Sequence, residues 1–445
     1  MNYTRLYQPI DNSPLIVFRI FFGFLLFAES IGAIFTGWVK SVFIDTKFTF
    51  SHIGMEWLQP LPGDGMYYYY ILMGIFGFMV MIGYKYRLSL ALFTLMWAGV
   101  YYMQKEAYNN HYYLLMLVCI IMLFLPANGY ASIDAKLNPE RKSLTMPRWC
   151  SFVMILQIAI VYFFATLSKF YPNWLDGSFI KHLFVNSEHP AFLDSLFASD
   201  WFALFISWSG LAFDFLIVPL LLWKPTRTIA FIASLCFHVF NAVILQIGIF
   251  PFFALSFIVF FYPPENIRRL FFKNKPVLPD GIPPYENQSA LAYFFIPYFL
   301  IQLALPIRHH FIKGDVLWTE EGHRLSWRMM LRHRSGYITF KVVDKQTNNQ
   351  HYYDQSYLSL KQTGLVSVRP DGIWQMAQRI KKHYASQGKD VSIFVDSKVS
   401  VNNGPLRTFI DPKVDMANVE WDYFFHNEWI LLYDKTGSLI GQNDK

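Results

Sequence analysis

Apolar residues fill the first two thirds of this chain in runs divided by short polar breaks. Runs near the roughly 20-residue length that crosses a bilayer lie at 14–36, 66–84, 149–168, 201–223, 228–246 and 289–307. Shorter runs at 88–103, 112–127 and 250–263 suit spans that are brief or partly enclosed by protein. Together these make nine spans, an odd number, which puts the termini on opposite sides. The breaks differ in charge. Those on the N-terminal side carry thirteen Lys and Arg, while the opposite loops carry only Lys40, Lys47, Lys105, Lys169 and Lys181. That asymmetry predicts a cytoplasmic N-terminus and an extracytoplasmic C-terminus. The first run contains Arg19 and lacks a small-residue cleavage site, so it reads as a retained span. Trp38, Trp57, Trp174 and Trp201, in or beside the loops 37–65 and 169–200, are expected at the membrane interface.

After Pro306 the pattern changes. Strand-like runs appear at Tyr337–Val343, Val391–Val395 and Trp429–Tyr433. An amphipathic helix is expected between Pro370 and Tyr384, with Ile373, Met376, Ala377 and Ile380 on one face. Asp434–Gly437 reads as a hairpin turn. The expected fold is an integral membrane α-helical bundle of about nine transmembrane helices, residues 1–308. A C-terminal extramembrane α+β domain follows, residues 309–445.

Composition agrees. Of 445 residues, 54% are hydrophobic and only 16% charged, against about 25% charged in a typical soluble domain. The net charge of +7 is spread between apolar runs, so it reports topology and not nucleic-acid binding. Cys119, Cys150 and Cys236 lie in or beside apolar runs and have no metal-ligand or disulfide spacing.

Ionisable groups inside spans are costly and therefore informative. Arg19 and Glu29 share the first run and can pair with each other or across the bundle, and Asp214 sits mid-run. His238 and Asn241 lie one turn apart on one helix face. In the loop Tyr108–Tyr113, His111 beside Asn109 and Asn110 either supports a developing anion or forms an ordinary polar turn. Lys169 ends an apolar run, and Trp174 follows within a turn. It is either a wet, snorkelling anchor or an amine held in a dry pocket, where burial favours the neutral form.

The order of these pieces resembles the vitamin K-dependent γ-glutamyl carboxylase family, whose membrane part is the horizontally transferred transmembrane domain. The resemblance rests on Val17–Leu25, Leu61-Pro62, Asn109-Asn110-His111, Tyr162…Lys169…Trp174…Gly177, Asp214 and Phe237-His238…Asn241…Phe250. It continues through Ser326-Trp327, Arg334-Ser335, Val399–Asn402 and Asp411–Asp415. The chain is thus similar to a compact member of that family from about residue 14 to about residue 420.

The resemblance implies a reaction. Reduced vitamin K (phylloquinol or menaquinol) reacts with O2 to give a base that removes a γ-proton from a peptidyl glutamate. The carbanion then attacks CO2, and the quinone leaves as its epoxide, with no metal required. Lys169 matches the family's catalytic base, and Asn110 and His111 its supporting pair. Tyr162, Phe164, Trp174, Asp214, His238 and Asn241 are the implied cofactor-binding residues. Trp327, Arg328, Arg332 and Arg334 are the implied residues for the glutamate peptide. Two departures stand out: Ser168 replaces a second lysine, and Arg328 and Arg332 replace an acidic residue and a histidine of the animal members. Those two arginines either favour an acidic substrate or are surface charges. The resemblance places the outer domain in a periplasm or an endoplasmic reticulum lumen, with a glutamate-containing peptide and membrane quinone as partners. Two other readings stay open: quinol oxidation or epoxidation without carboxylation, and a non-enzymatic quinone- or lipid-binding membrane protein. The second predicts a wet, unpaired Lys169.

Overall fold

A computed structural model describes residues 3–187, 189–286, 290–434 and 436–440. The chain forms two compact units. The first is Met1–Ile44, Leu61–Tyr101 and Asn109–Leu303; the second is Asp45–Pro60, Tyr102–Tyr108 and Ala304–Lys445.

In the first unit the apolar runs become helices α1 (Ser13–Phe35), α2 (Gly65–Ile82), α3 (Tyr86–Met103), α4 (Asn110–Phe124) and α5 (Trp149–Ser168). They continue as α6 (Asp200–Leu222), α7 (Arg227–Ile244), α8 (Phe250–Ser256) and α9 (Pro264–Phe271), and α10 (Ile296–Ile307) runs to the end of this unit and beyond it. The protein is a multi-pass membrane protein, but the expected nine spans are not confirmed. Among the described residues six helices are long and apolar enough to cross: α1, α2, α5, α6, α7 and the segment Leu291–Phe311. A seventh is reached only if Phe250–Phe260 and Pro264–Phe271, bent by 116°, count as one. The bend falls at Pro263-Pro264, where no helix can run straight through. The α4 helix is apolar but has only 15 residues. Residue 289, the expected start of the last span, lies outside the described residues.

Helices α1 and α2 run antiparallel in close contact. A Cβ at Gly23 would lie 2.3 Å from the Met81 backbone nitrogen, so only glycine lets the two backbones meet there. Arg19 does not pair with Glu29. Ten residues separate them along α1, a rise of about 15 Å, too far for two side chains to span. Instead Arg19 donates to the carbonyls of Ala127 at 3.1 Å and Ala131 at 2.6 Å. At the start of α1, the buried Lys275 donates to Asp11 at 2.5 Å, Asn12 at 2.6 Å and Ser13 at 3.0 Å.

A short antiparallel pair, β1 (Pro9–Asp11) and β2 (Thr145–Pro147), completes the first unit. The second unit is built on an antiparallel sheet of β3 (Arg334–Asp344), β4 (Gln350–Tyr352), β5 (Val391–Val401) and β6 (Arg407–Thr408), in the order β4-β3-β5-β6. Its core joins Phe340, Ile393 and Val395 of the sheet to α11 (Leu360–Val368) and α12 (Pro370–Ala385). As expected, α12 buries Ile373, Met376, Ala377 and Ile380. The expected strand at Trp429–Tyr433 is instead a loop with isolated bridges at Ile430 and Tyr433, because backbone pairing there is not sustained. The turn after Tyr433 is present, with Gly437 N–H on the Asp434 carbonyl, although Lys435 lies outside the described residues.

Two segments far back in the sequence also belong to this unit. Phe48 and Phe50 enter its core, and Lys105 donates to Asp371 at 2.5 Å. Arg324 donates to the same carboxylate at 2.5 Å. Burial alone would raise the Asp371 carboxyl, but Arg324 and Lys105 together outweigh it and hold it well below the usual range. Asp371→Asn leaves buried Lys105 and half-buried Arg324 without their shared anion and is expected to destabilise this unit by about 3–5 kcal/mol, read by thermal unfolding. The carboxylate's contribution is present at neutral pH and is lost as the pH falls below about 4, the ordinary aspartate value.

Candidate active site

The site begins where α5 ends. Lys169 forms the cap of α5, its N–H bonded to the Thr166 carbonyl at 3.0 Å. Pro172 then opens the short helix Pro172–Leu175, a place where its missing N–H costs nothing. Gly177 follows with φ 76°, and a Cβ there would come within 2.9 Å of the Leu204 backbone nitrogen, so this return needs glycine. The result lays Trp174 on α6. Its indole donates to the Ser207 carbonyl at 3.1 Å, and the Ser207 hydroxyl donates back to the Trp174 carbonyl. Trp174 is 5% exposed, a packing element and not the interfacial anchor expected of it.

Helix α6 buries Ala203, Ser207, Gly210 and Asp214 along one stripe. The small residues receive Trp174, and one turn further Asp214 accepts a hydrogen bond from Lys169 Nζ. The ammonium also lies 4.9 Å from the Trp174 ring centroid. At 8% exposure Lys169 is dry. Phe164, five residues earlier on α5, is buried edge-on to Phe163.

Two turns back on α5, the Tyr162 hydroxyl meets His238 Nε2 at 3.1 Å. His238 and Asn241 share the buried face of α7, as their spacing predicts. The other His238 ring nitrogen, Nδ1, is buried without a hydrogen-bond partner among the described residues. Phe250 lies edge-on to His238 at 6.0 Å and stacks on His111 at 3.9 Å, so one aromatic ring separates the two imidazoles.

His111 is not in a loop. The Asn109 side chain accepts the Tyr112 N–H at 2.8 Å and caps α4, which puts Asn110 and His111 in its first turn. A cavity of about 320 Å³ opens there, lined by Glu29, Asn109, His111, Tyr112, Gln246 and Phe250 among others. Its volume lies at the lower end of the range for small-molecule sites. Tyr112 hydrogen-bonds Glu29, which makes this carboxylate part of the cavity wall and not a packing partner of Arg19. Glu29 is detectable in the sequence as a lone carboxylate in an apolar run. Phe250, one of 45 phenylalanines, carries no such signal.

The structure therefore groups Lys169, Asp214 and Trp174, and links Tyr162, His238, Phe250 and His111, all within the first unit. Trp327, Arg328, Arg332 and Arg334 belong to the second. Trp327 is 1% exposed. Arg328 donates to His309 at 3.4 Å. Arg332 makes a two-point pair with Glu320. Arg334 lies 3.7 Å from Glu320 and donates to the carbonyls of Leu317 and Trp318, each at 2.7 Å. Burial would raise the Glu320 carboxyl, but Arg332 and Arg334 hold it well below the usual range.

Residues 7–265 match the family described as the HTTM domain, and residues 287–436 match the vitamin K-dependent gamma-carboxylase lumenal domain. The chain belongs to the vitamin K-dependent γ-carboxylase family. No solved structure matches it. The first match covers the elements that carry Lys169, Asp214, His111 and His238, and the second covers the sheet and helices of the second unit.

The dry Lys169–Asp214 contact makes its own test. Lys169→Met or Asp214→Leu alone strands one buried charge and is expected to cost about 3–5 kcal/mol in thermal unfolding, whereas the double replacement costs less than either. Additive losses would show that the two side chains are not coupled.

Proposed function

We propose that this protein is a quinol-dependent peptidyl-glutamate γ-carboxylase. The reaction joins CO2 to the γ-carbon of a glutamate side chain and converts reduced vitamin K and O2 to the quinone epoxide and water. The observation that carries the reading is Lys169: dry, held against Trp174, and facing a single carboxylate. The non-enzymatic reading expects this lysine wet and unpaired, and it is neither.

The residues present fit a quinol. The wall of His111 and Phe250, with Glu29 and Tyr112 beside it, offers an aromatic face and polar groups at its rim. Reduced vitamin K supplies, with O2, the base strong enough to take a γ-proton from glutamate. The chain's own groups manage protons and water around it. Lys169 and Asp214 carry one exchangeable proton between Nζ and Oδ2. Moving it to the carboxylate leaves the pair uncharged overall, as before, so the transfer adds no net charge to a dry site. The amine freed in this way is the base that accepts the opening proton of the reaction at Nζ. His111 and Asn110 supply hydrogen bonds to negative charge that develops beside α4. Trp174 and Phe250 keep bulk water from these groups. Tyr162, His238 and Asn241 hold the wall behind Phe250. The outer domain takes the glutamate peptide on the extracytoplasmic side, with the N-terminus in the cytoplasm, as the loop charges support.

One observation favours a second reading, epoxidation without carboxylation. Arg332 and Arg334 already face Glu320, which leaves them less able to attract a peptide carboxylate.

Purified protein is incubated with reduced vitamin K, labelled CO2 and a glutamate peptide. Labelled peptide together with epoxide is expected; epoxide alone would establish the second reading. Lys169→Ala is expected to abolish epoxide, and wild-type epoxidation in that variant would remove Lys169 as the base. His111→Ala is expected to lower the rate by about 10²-fold or more, the usual worth of one oxyanion donor, without changing solubility.

A further inference from the structure

A second cavity in the membrane unit lies at the other end of α1 and α2 from Glu29 and takes no part in the site above. It measures about 620 Å³, and its lining includes Arg19, Ile20, Met81, Ile82, Lys136 and Lys142. Its chemistry is divided. One side is cationic, and the lining contains three basic side chains and no acidic one. The other side is formed by Ile20 and the α2 end at Met81 and Ile82, and continues along the helices to the exposed rings of Phe24 and Phe78.

Arg19 forms the floor. It is fully buried, both terminal nitrogens donate to backbone carbonyls, and its Nε has no hydrogen-bond partner among the described residues. The acidic group that acts on it, Asp134, is already committed to the N–H groups of Lys85 and Tyr86 and to the Asn128 amide. Lys136 and Lys142 are exposed at the mouth, and neither makes an ion pair among the described residues; Lys142 lies 5.9 Å from the Tyr130 ring centroid. A buried cation with no carboxylate in contact, two more at the rim and an apolar wall beside them define a ligand that is anionic at one end and apolar at the other. Basic pockets between membrane helices take phosphate headgroups for this reason.

We propose that this cavity binds the phosphate headgroup of an anionic membrane lipid. Its acyl chains lie against α1 and α2, and Lys136 and Lys142 close over the phosphate. A free phosphate ion would share the cationic half of this chemistry but would leave the apolar half without purpose.

The test is native mass spectrometry of the detergent-purified full chain, titrated with phosphatidylglycerol and with phosphatidylcholine. Phosphatidylglycerol is expected to bind roughly 30-fold more tightly, the worth of two cations facing an anionic headgroup. The Lys136→Gln/Lys142→Gln variant is expected to lose that preference, while Lys136→Arg/Lys142→Arg keeps it, which separates loss of charge from loss of fold. Equal binding of the two lipids by the wild type, or full preference in the glutamine variant, overturns the proposal. So does displacement of phosphatidylglycerol by excess inorganic phosphate, which would make the ligand a free anion.

Discussion

A charge placed in a dry interior must meet an opposite charge or a set of dipoles, because its solvation by water is gone. The arrangement of this protein follows from how that requirement is met. Arg19 uses backbone carbonyls. Three buried lysines each use an aspartate: Lys275 with Asp11, Lys105 with Asp371 and Lys169 with Asp214. The three pairs are not alike. Asp11 also faces Arg268, and Asp371 also faces Arg324, so each of those carboxylates lies between two cations. Asp214 faces one lysine alone among the described residues, with only an aromatic ring added on the cation's side. The first two pairs are locks. The third is a single pair, with no second cation on its carboxylate among the described residues.

The aromatic residues complete that contrast. Trp174 is positioned by a proline, a glycine and a reciprocal hydrogen bond with Ser207, so the ring over Lys169 is held by backbone geometry and hydrogen bonds as well as by packing. Phe250 stands at the start of a bent helical segment and separates His111 from His238. Rings so placed remove water from ionisable groups without adding charge of their own.

Much of this is legible in the amino-acid order. The helical runs, the change of character after Pro306, β3, β5 and α12 follow from periodicity, which local sequence records directly. Lys169, His111 and His238 stand out because polar groups are rare in apolar runs. Partnerships are what the order of residues leaves hidden. Lys169 and Asp214 are 45 residues apart, and nothing in either neighbourhood names the other. Asn109, Asn110 and His111 look equivalent as a polar turn, yet only the first is the helix cap, a distinction set by backbone angles. Arg332 and Arg334 read as available cations because Glu320 lies in a separate segment. Trp57 does remain exposed while Trp174 is buried, although both are tryptophans beside apolar runs.

The second unit is assembled from three stretches that are distant in the chain. Gln362 reaches the Phe48 carbonyl across 314 residues, and Asp371 reaches Lys105 across 266. During synthesis the two early stretches emerge long before their partners exist, so Phe48, Phe50 and the cation of Lys105 must wait without a core or a counter-ion. Such contacts are slow to form and leave apolar surface open in the interval. A fragment beginning at residue 309 would lack those same groups. The second unit is therefore not separable by cutting the chain once, and its folding is completed only after the last membrane helix has been made.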